Sequence, residues 1–418
     1  MTKLTQIYYS LLAIPLAILG LPLYIYLPTF YAKDIGIDMA IIGITLFLAR
    51  LFDVFLDPYL GYLSDKSKEI FNSRKPLITI GAILLTISFY LLINPKEEYA
   101  NLWLFSFSFL VYVAWSMVNI PYLTWSAEIS SDYHFKTKLN SVREIGTIIG
   151  VLIALLLPFL FSISNNTKEV LDLLFVVFLI LFTYFTIVSL LKIKTVITKD
   201  SEKFKLSYIK VVYKKLPKIK TLQIGYFFNN LANAIPATLF LLFVEFVIKE
   251  PQSSGILLIV YFLAGVLALP IWTIISKRFS KKRVWIYSII LASSSFIFVP
   301  FLDENSFIAF LIICIVSGFS LGADLAFPTA IYSDLTQKAE EVKKNCSGLL
   351  FGIWAMITKL SLALSVAISF GILGLIEFDK SNPSSESILT LALLYGLAPV
   401  ILKALAIIFI NKYKEDKQ

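Results

Sequence analysis

Arg50, Asp53 and Asp57 stand in the stretch LARLFDVFLDPYLGYLSDKSK, residues 48–68, among side chains that are mostly apolar. Asp53 and Asp57 are four residues apart, so on a helix both carboxylates share one face, which Arg50, three residues before Asp53, also joins. Two neighbouring carboxylates repel when both are ionised. Such a pair favours taking up a proton or binding a hard cation such as Na+ through its oxygens. Pro58, directly after Asp57, can loosen the helix and free a carbonyl for the same site. The competing interpretation, an Arg50–Asp53 ion pair that merely locks helix packing, leaves the second carboxylate unexplained.

Further ionisable side chains interrupt apolar runs. Lys359 is flanked on both sides by apolar sequence in FGIWAMITKLSLALSVAI, Arg143 opens a run in KLNSVREIGTIIG, and Asp324 lies deep in GADLAFPTAIYSD near Gly322. Arg143 and Lys359 are expected to meet the two aspartates across a polar cavity. Glu245, in TLFLLFVEFVIKE, is close enough to a run's end to be a surface anchor. Asn119 is a polar handle just before Pro121, and Trp115, Tyr122, Trp125 and Trp354 lie beside the polar positions. A flat ring there can stack on a sugar face or an amphipathic solute, although packing is the commoner use of such rings. Asp65 and Glu128 fall at the ends of apolar runs, where they suit a gate, Asp65 with a basic partner.

The elements that must hold these groups follow from composition. Of the 418 residues 58% are hydrophobic and 16% charged, and the mean hydropathy is +0.81. A soluble domain has too little interior to hide that much apolar surface. About 20 apolar residues cross roughly 30 Å of hydrocarbon as a helix. Runs of that kind predict an all-α polytopic membrane protein of about twelve spans: roughly 7–32, 39–64, 76–95, 101–127, 141–163, 170–192, 221–248, 254–276, 284–302, 306–332, 346–376 and 386–411. A charge at the centre of a bilayer costs at least about 2.5–3.5 kcal/mol, so three on one helix face imply an aqueous cavity or close partners.

The net charge of +9 would suggest nucleic acid in a soluble protein, but its distribution follows the membrane. Lys66, Lys68, Arg74 and Lys75, then Lys136 and Lys138, then Lys277, Arg278, Lys281, Lys282 and Arg283 make alternate connections basic. The intervening ones carry Asp34, Asp38, Glu97, Glu98, Asp303, Glu304, Glu377 and Asp379. Basic loops face the cytoplasm, which places both termini there. Two cysteines, Cys314 and Cys346, and the lone His134 offer neither a disulfide framework nor a His/Cys metal site.

The longest hydrophilic connection, Lys192–Lys220, is strongly basic and falls near the middle. The expected organisation is a six-helix half over 1–194, a basic cytoplasmic linker over 195–220 that lies against anionic lipid, and a second six-helix half over 221–418. An internal repeat supports it. DPYLGYLSDKSKEIFNSRKPLI after the second span has a counterpart in LPIWTIISKRFSKKRVWI after the eighth, and NIPYLTWSAEIS in AFPTAIYSDLT. Parallel repeats of six spans place a solute site at the midplane between halves.

RLFDVFLDPYLGYLSD, NIPYLTWSAEISSDYHFKTKLNSVRE, NNLANAIPATLFLLFVEFVIK and GIWAMITKLSLAL together resemble the glycoside-pentoside-hexuronide:cation symporters of the major facilitator superfamily, the melibiose-carrier-like group. The resemblance spans most of the chain, and the D-x-x-x-D-P segment with Arg50 is its most specific part. It implies that Asp53 and Asp57 form the coupling-cation site and that Arg143 and Lys359 are polar cavity residues. Two departures weigh against a galactoside. No carboxylate occurs from Leu11 to Leu27, where the family has a sugar-binding aspartate in its first helix, and Asn119 stands where the family has one in its fourth.

The expected function is secondary active transport: symport of a small solute, a sugar or glycoside, with Na+ or H+ as the coupling ion and no cofactor. Its cavity residues would be Arg50, Asn119, Tyr122, Arg143, Asp324, Trp354 and Lys359, with Asp65 and Glu128 gating. The alternatives are a lipid or other amphipathic solute, or a membrane sensor without transport. An enzyme is not expected, since the spans lack a His/Cys catalytic set and no P-loop appears. The expected partners are the solute, the cation and the lipid bilayer, not nucleic acid, and the protein is expected as a monomer in a bacterial inner membrane.

Overall fold

In hydrocarbon a backbone must satisfy its hydrogen bonds within its own segment, and these apolar runs do so as α-helices. The computed structural model describes residues 3–21, 23, 26–130, 132–163, 166–193, 208–343, 346–378 and 383–413. Most of the expected linker, residues 195–207, lies outside the described residues, as does Asp379. The helices are α1 (Lys3–Leu11), α2 (Ala13–Leu21), α3 (Leu27–Lys33), α4 (Met39–Phe71), α5 (Lys75–Ile93), α6 (Ala100–Glu128), α7 (Tyr133–Leu160), α8 (Thr167–Lys192), α9 (Tyr208–Lys215), α10 (Lys218–Phe243), α11 (Ser254–Ile275), α12 (Lys281–Phe296), α13 (Phe307–Val342), α14 (Ser347–Leu375) and α15 (Ser385–Lys412). No strand occurs among the described residues.

Ten of these helices, α5–α8 and α10–α15, are long and apolar enough to cross a membrane. Two more segments complete the expected twelve. α4 has 33 residues, about 50 Å at 1.5 Å per residue. The first expected span, 7–32, is divided among α1, α2 and α3. Pro28 sits in the first turn of α3, where a missing N–H costs nothing, so the division suits the sequence.

By its internal contacts the chain forms two units. Unit 1 is Met1–Lys210 with Ser333–Met356, and unit 2 is Val211–Tyr332 with Ile357–Gln418. The division therefore passes through α13 and α14.

In unit 1 the core is aromatic where α5 meets α8: Phe178 stacks on Phe182 at 4.8 Å, and Phe89 meets Phe178 edge-on at 5.7 Å. In unit 2 Tyr395 of α15 stacks on Phe243 of α10 at 4.2 Å. The opposite faces are apolar and exposed, as with Ile80, Ile83, Ile87 and Tyr90 along α5, a pattern that suits lipid rather than water. Without a water-driven force between helices, close packing needs small residues. A Cβ on Gly318 or Gly322 of α13 would stand 2.3 Å from Tyr261 O or 2.6 Å from Gly265 O of α11.

Candidate functional site

α4 brings the opening trio to α6. Asp53 and Asp57 are both fully buried. Ser116 of α6 donates its hydroxyl to Asp53 Oδ1 at 3.2 Å, and Arg50 Nη1 stands 3.9 Å from Asp53 Oδ2. Arg50 also lies over the Tyr112 ring of α6, 4.9 Å from its centroid, an arrangement that holds a guanidinium by its face. Pro58 is inside α4 and has no N–H to offer the carbonyl of Val54 one turn earlier. On its other side α4 is approached by α14 at glycines. A Cβ on Gly352 would stand 2.4 Å from Asp57 O, and one on Gly348 2.5 Å from Gly61 O. The backbone next to the carboxylates is thus held by contacts that only glycine permits.

About two turns beyond Asp57 the last part of the same helix enters an ionic knot. Asp65 lies just past the expected span and is fully buried. Its carboxylate accepts the backbone N–H groups of Gly348 at 2.7 Å and Leu349 at 2.8 Å, at the N-terminus of α14, where the helix dipole favours an anion. Arg74 donates Nη2 to Asp65 at 2.8 Å and to Glu128 at 2.9 Å, and Nη1 to Ser64 at 2.7 Å. Lys68 completes the knot at 2.7 Å from Glu128. Burial pushes the Asp65 carboxyl up to about 6, against the pull of the Arg74 guanidinium. Nearby, Lys136 at the start of α7 pairs with Asp334 at 3.2 Å. α4, α6, α7 and the unit 1 parts of α13 and α14 are thereby tied at one end.

A third cluster joins α1, α6 and α7. Tyr122 donates its hydroxyl to Tyr9 O at 2.6 Å, and Tyr9 returns one to Tyr122 O at 3.2 Å. Arg143 is buried and ion-paired with Glu144, while its Nη1 and the indole N–H of Trp125 have no acceptor among the described residues. Both are donors that a solute oxygen could satisfy. Asn119 is half-buried on α6, and Trp354 is buried in the unit 1 part of α14.

Unit 2 places Asp324 in a network of its own. Lys403 of α15 reaches Asp324 Oδ2 at 3.1 Å, Trp285 of α12 donates to Oδ1 at 2.8 Å, and Asn233 of α10 donates to Oδ2 at 3.1 Å. Lys359 is half-buried in the unit 2 part of α14, and Glu245 is exposed in a π-helical turn, Val244–Ile248, that follows α10.

The structure thus brings Arg50 to Asp53, and Asp65 to Glu128 through Arg74. Several partners escaped sequence reasoning. Lys403 had a readable signal, a lysine inside the apolar run LAPVILKALAIIFI, since ionisable residues at membrane depth are functional candidates. Ser116, Trp285 and Asn233 had none, because polar residues of that kind are common in helices and their partners come from distant helices.

The chain matches the family described as MFS/sugar transport protein over residues 8–417. It is 24% identical over 409 residues to YagG of Escherichia coli, provisionally named a glycoside/cation symporter, covering 92% of this chain and 86% of that protein. It is 21% identical over 456 residues to the mouse sodium-dependent lysophosphatidylcholine symporter 1, covering 98% of this chain and 85% of the other. Among solved structures it superposes on the E. coli fucose:proton symporter with a TM-score of 0.69 at 14% identity, covering 99% of both chains. That structural likeness shows the shared fold, and with the family match across nearly the whole sequence it follows that this chain belongs to the MFS/sugar transport protein family.

Proposed function

We propose that the protein is a cation-coupled symporter that carries a sugar or glycoside by alternating access, with Asp53 and Asp57 binding the coupling Na+ or H+. The observation that carries this reading is the pair of fully buried carboxylates one turn apart on α4. With Arg50 as the one cation of the trio, the face has a formal charge of −1 when both aspartates are ionised, which a single proton or sodium ion would neutralise. Binding that cation would favour the state that holds solute, and linkage requires the solute to tighten the cation equally.

In this reading Arg143, Tyr122, Asn119 and Trp354, with Lys359 and Asp324 of unit 2, belong to the solute cavity. The Asp65–Arg74–Glu128 knot acts as the gate, closed by the α14 N-terminus on Asp65. The protein works as a monomer in the bacterial inner membrane with both termini cytoplasmic, and acts as a carrier rather than an enzyme. The linker over 195–220 joins two six-helix halves, 1–194 and 221–418.

The test is uptake into proteoliposomes of radiolabelled glucosides, galactosides, xylosides, glucuronides and lysophosphatidylcholine, under imposed Na+ or H+ gradients. Accumulation driven by one gradient and abolished in both Asp53→Asn and Asp57→Asn is expected, and the driving gradient names the ion. Accumulation of lysophosphatidylcholine alone would replace the sugar by a lipid. Equal movement of a solute without any gradient and in both variants would end the symporter reading.

A further inference from the structure

Five side chains from four helices of unit 2 meet inside the apolar zone: Lys403 of α15, Asp324 of α13, Trp285 of α12, and Asn229 and Asn233 of α10. Lys403 and Asn229 are almost wholly buried. Besides its ion pair with Asp324, the Lys403 ammonium donates to Asn229 Oδ1 at 3.2 Å. An ammonium has donors and no acceptor, so the atom it meets must be the amide oxygen. Turning the Asn229 amide over would set its NH2 against a cation. The ion pair therefore fixes which end of the amide donates.

That end is unspent. Asn229 Nδ2 is buried with no acceptor among the described residues, and so is Nδ2 of Asn230 beside it. A buried donor without an acceptor costs about 1–3 kcal/mol, and here two occur at consecutive positions. Asn229 lies eleven residues after Lys218, the first residue of α10, or about 16 Å along the axis, near the middle of a hydrocarbon layer of roughly 30 Å. Both oxygens of Asp324 are already engaged, by Lys403, Trp285 and Asn233. The cluster has donors left over, not acceptors, and so suits a ligand oxygen rather than a cation.

We propose that Lys403 and Asp324 are positioning residues that orient Asn229 so that its NH2, with that of Asn230, donates to an oxygen of the transported solute. This rests on the reading of the protein as a solute carrier and assigns unit 2 a share of solute recognition. The oxygen is a neutral or anionic acceptor, supplied by a sugar hydroxyl or by a lysophospholipid phosphate.

The test is ligand-induced thermal stabilisation of the full-length protein in detergent, with methyl glucoside, galactoside, xyloside and glucuronide in one arm and lysophosphatidylcholine in the other. Asn229→Asp keeps an oxygen for Lys403 and loses the donor, and Asn230→Leu removes only a donor. At least one probe is expected to stabilise the wild type, with apparent affinity about tenfold weaker in either variant and the ligand-free melting temperature retained in Asn230→Leu. The double variant Asp324→Asn/Lys403→Met, which stays uncharged, should weaken the same probe, and adding Asn229→Ala to it should weaken it little further. Undiminished stabilisation in both asparagine variants overturns the proposal, as does a wild type that no probe in either arm stabilises. Normal binding in the asparagine variants together with lost gradient-driven uptake in Asp53→Asn would sink this inference and leave the symporter reading standing.

Discussion

Asp53 on α4 and Asp324 on α13 are carboxylates buried in long, largely apolar helices, and the helices around them treat them differently. Asp53 receives the Ser116 hydroxyl at 3.2 Å, while Arg50 stays 3.9 Å away and leans on Tyr112. Asp324 is gripped by an ammonium, an indole N–H and an amide, all within 3.1 Å. Burial of a charge therefore says little about its task, and the local balance of charge says more. In unit 2 Lys403 cancels Asp324. On α4 two aspartates share one face with a single arginine, and the formal surplus is negative. The first is a carboxylate paired with its own counter-charge; the second is the pair proposed above to take the coupling cation.

The largest expected effect tests that contrast through stability. Asp324→Asn leaves the Lys403 ammonium buried without its counter-charge, which costs about 3–5 kcal/mol. A marked fall in melting temperature should follow, and adding Lys403→Met in the same chain should recover most of it. Asp53→Asn removes one of two neighbouring carboxylates and should change stability by less than about 1 kcal/mol, since Arg50 retains its place over Tyr112. Equal losses in the two single variants, measured by thermal unfolding in the same detergent, would erase the distinction between a carboxylate locked by its counter-charge and one proposed to take the coupling ion.

A smaller effect is expected where α14 presses on the carboxylate helix. Gly352→Leu would drive a side chain into the backbone of Asp57, whose carbonyl lies 2.4 Å from the new Cβ, and overpacking of this kind costs about 1–3 kcal/mol. Gly371→Leu, farther along the same helix, meets nothing within 4 Å and should be neutral to within about 0.5 kcal/mol. Comparable losses at the two glycines, compared as melting temperatures, would show that helix propensity rather than close approach governs α14.

The sequence announces the helices because hydropathy is local: runs of apolar residues mark ten membrane-length helices directly. α4 was legible for the opposite reason, as its charges stand out against such a background. The clusters were readable in proportion to their locality. Arg50 and Asp53 are three residues apart and could be paired from spacing alone. Arg74 and Glu128 are separated by 54 positions, and Lys403 and Asp324 by 79, so no periodicity connects them. The close approach of α14 to α4 had a faint signature, Gly348 and Gly352 at small-xxx-small spacing in SGLLFGIW, but the pattern does not name the helix it packs against.

Asp65 extends the comparison to a third buried carboxylate and carries the smallest effect. Unlike Asp324 it shares its guanidinium with a competitor, Glu128, and burial raises its carboxyl to about 6 from an ordinary value of 3.8. A group raised on folding gives its full stabilisation below its unfolded value and loses it as pH rises through the folded value. The folded protein thus takes up a proton at Asp65 between about pH 6 and 4 that the unfolded chain does not hold. Lowering the pH from 7 to 5 should raise stability through this group by about 1 kcal/mol. Asp65→Asn fixes the side chain in an uncharged form of nearly the same shape, so the difference between its pH profile and that of the wild type isolates the contribution. If the two profiles run parallel from pH 7 to 5, Arg74 and the two α14 N–H groups outweigh burial and hold Asp65 ionised throughout. The knot would then be a fixed ion pair like Asp324–Lys403.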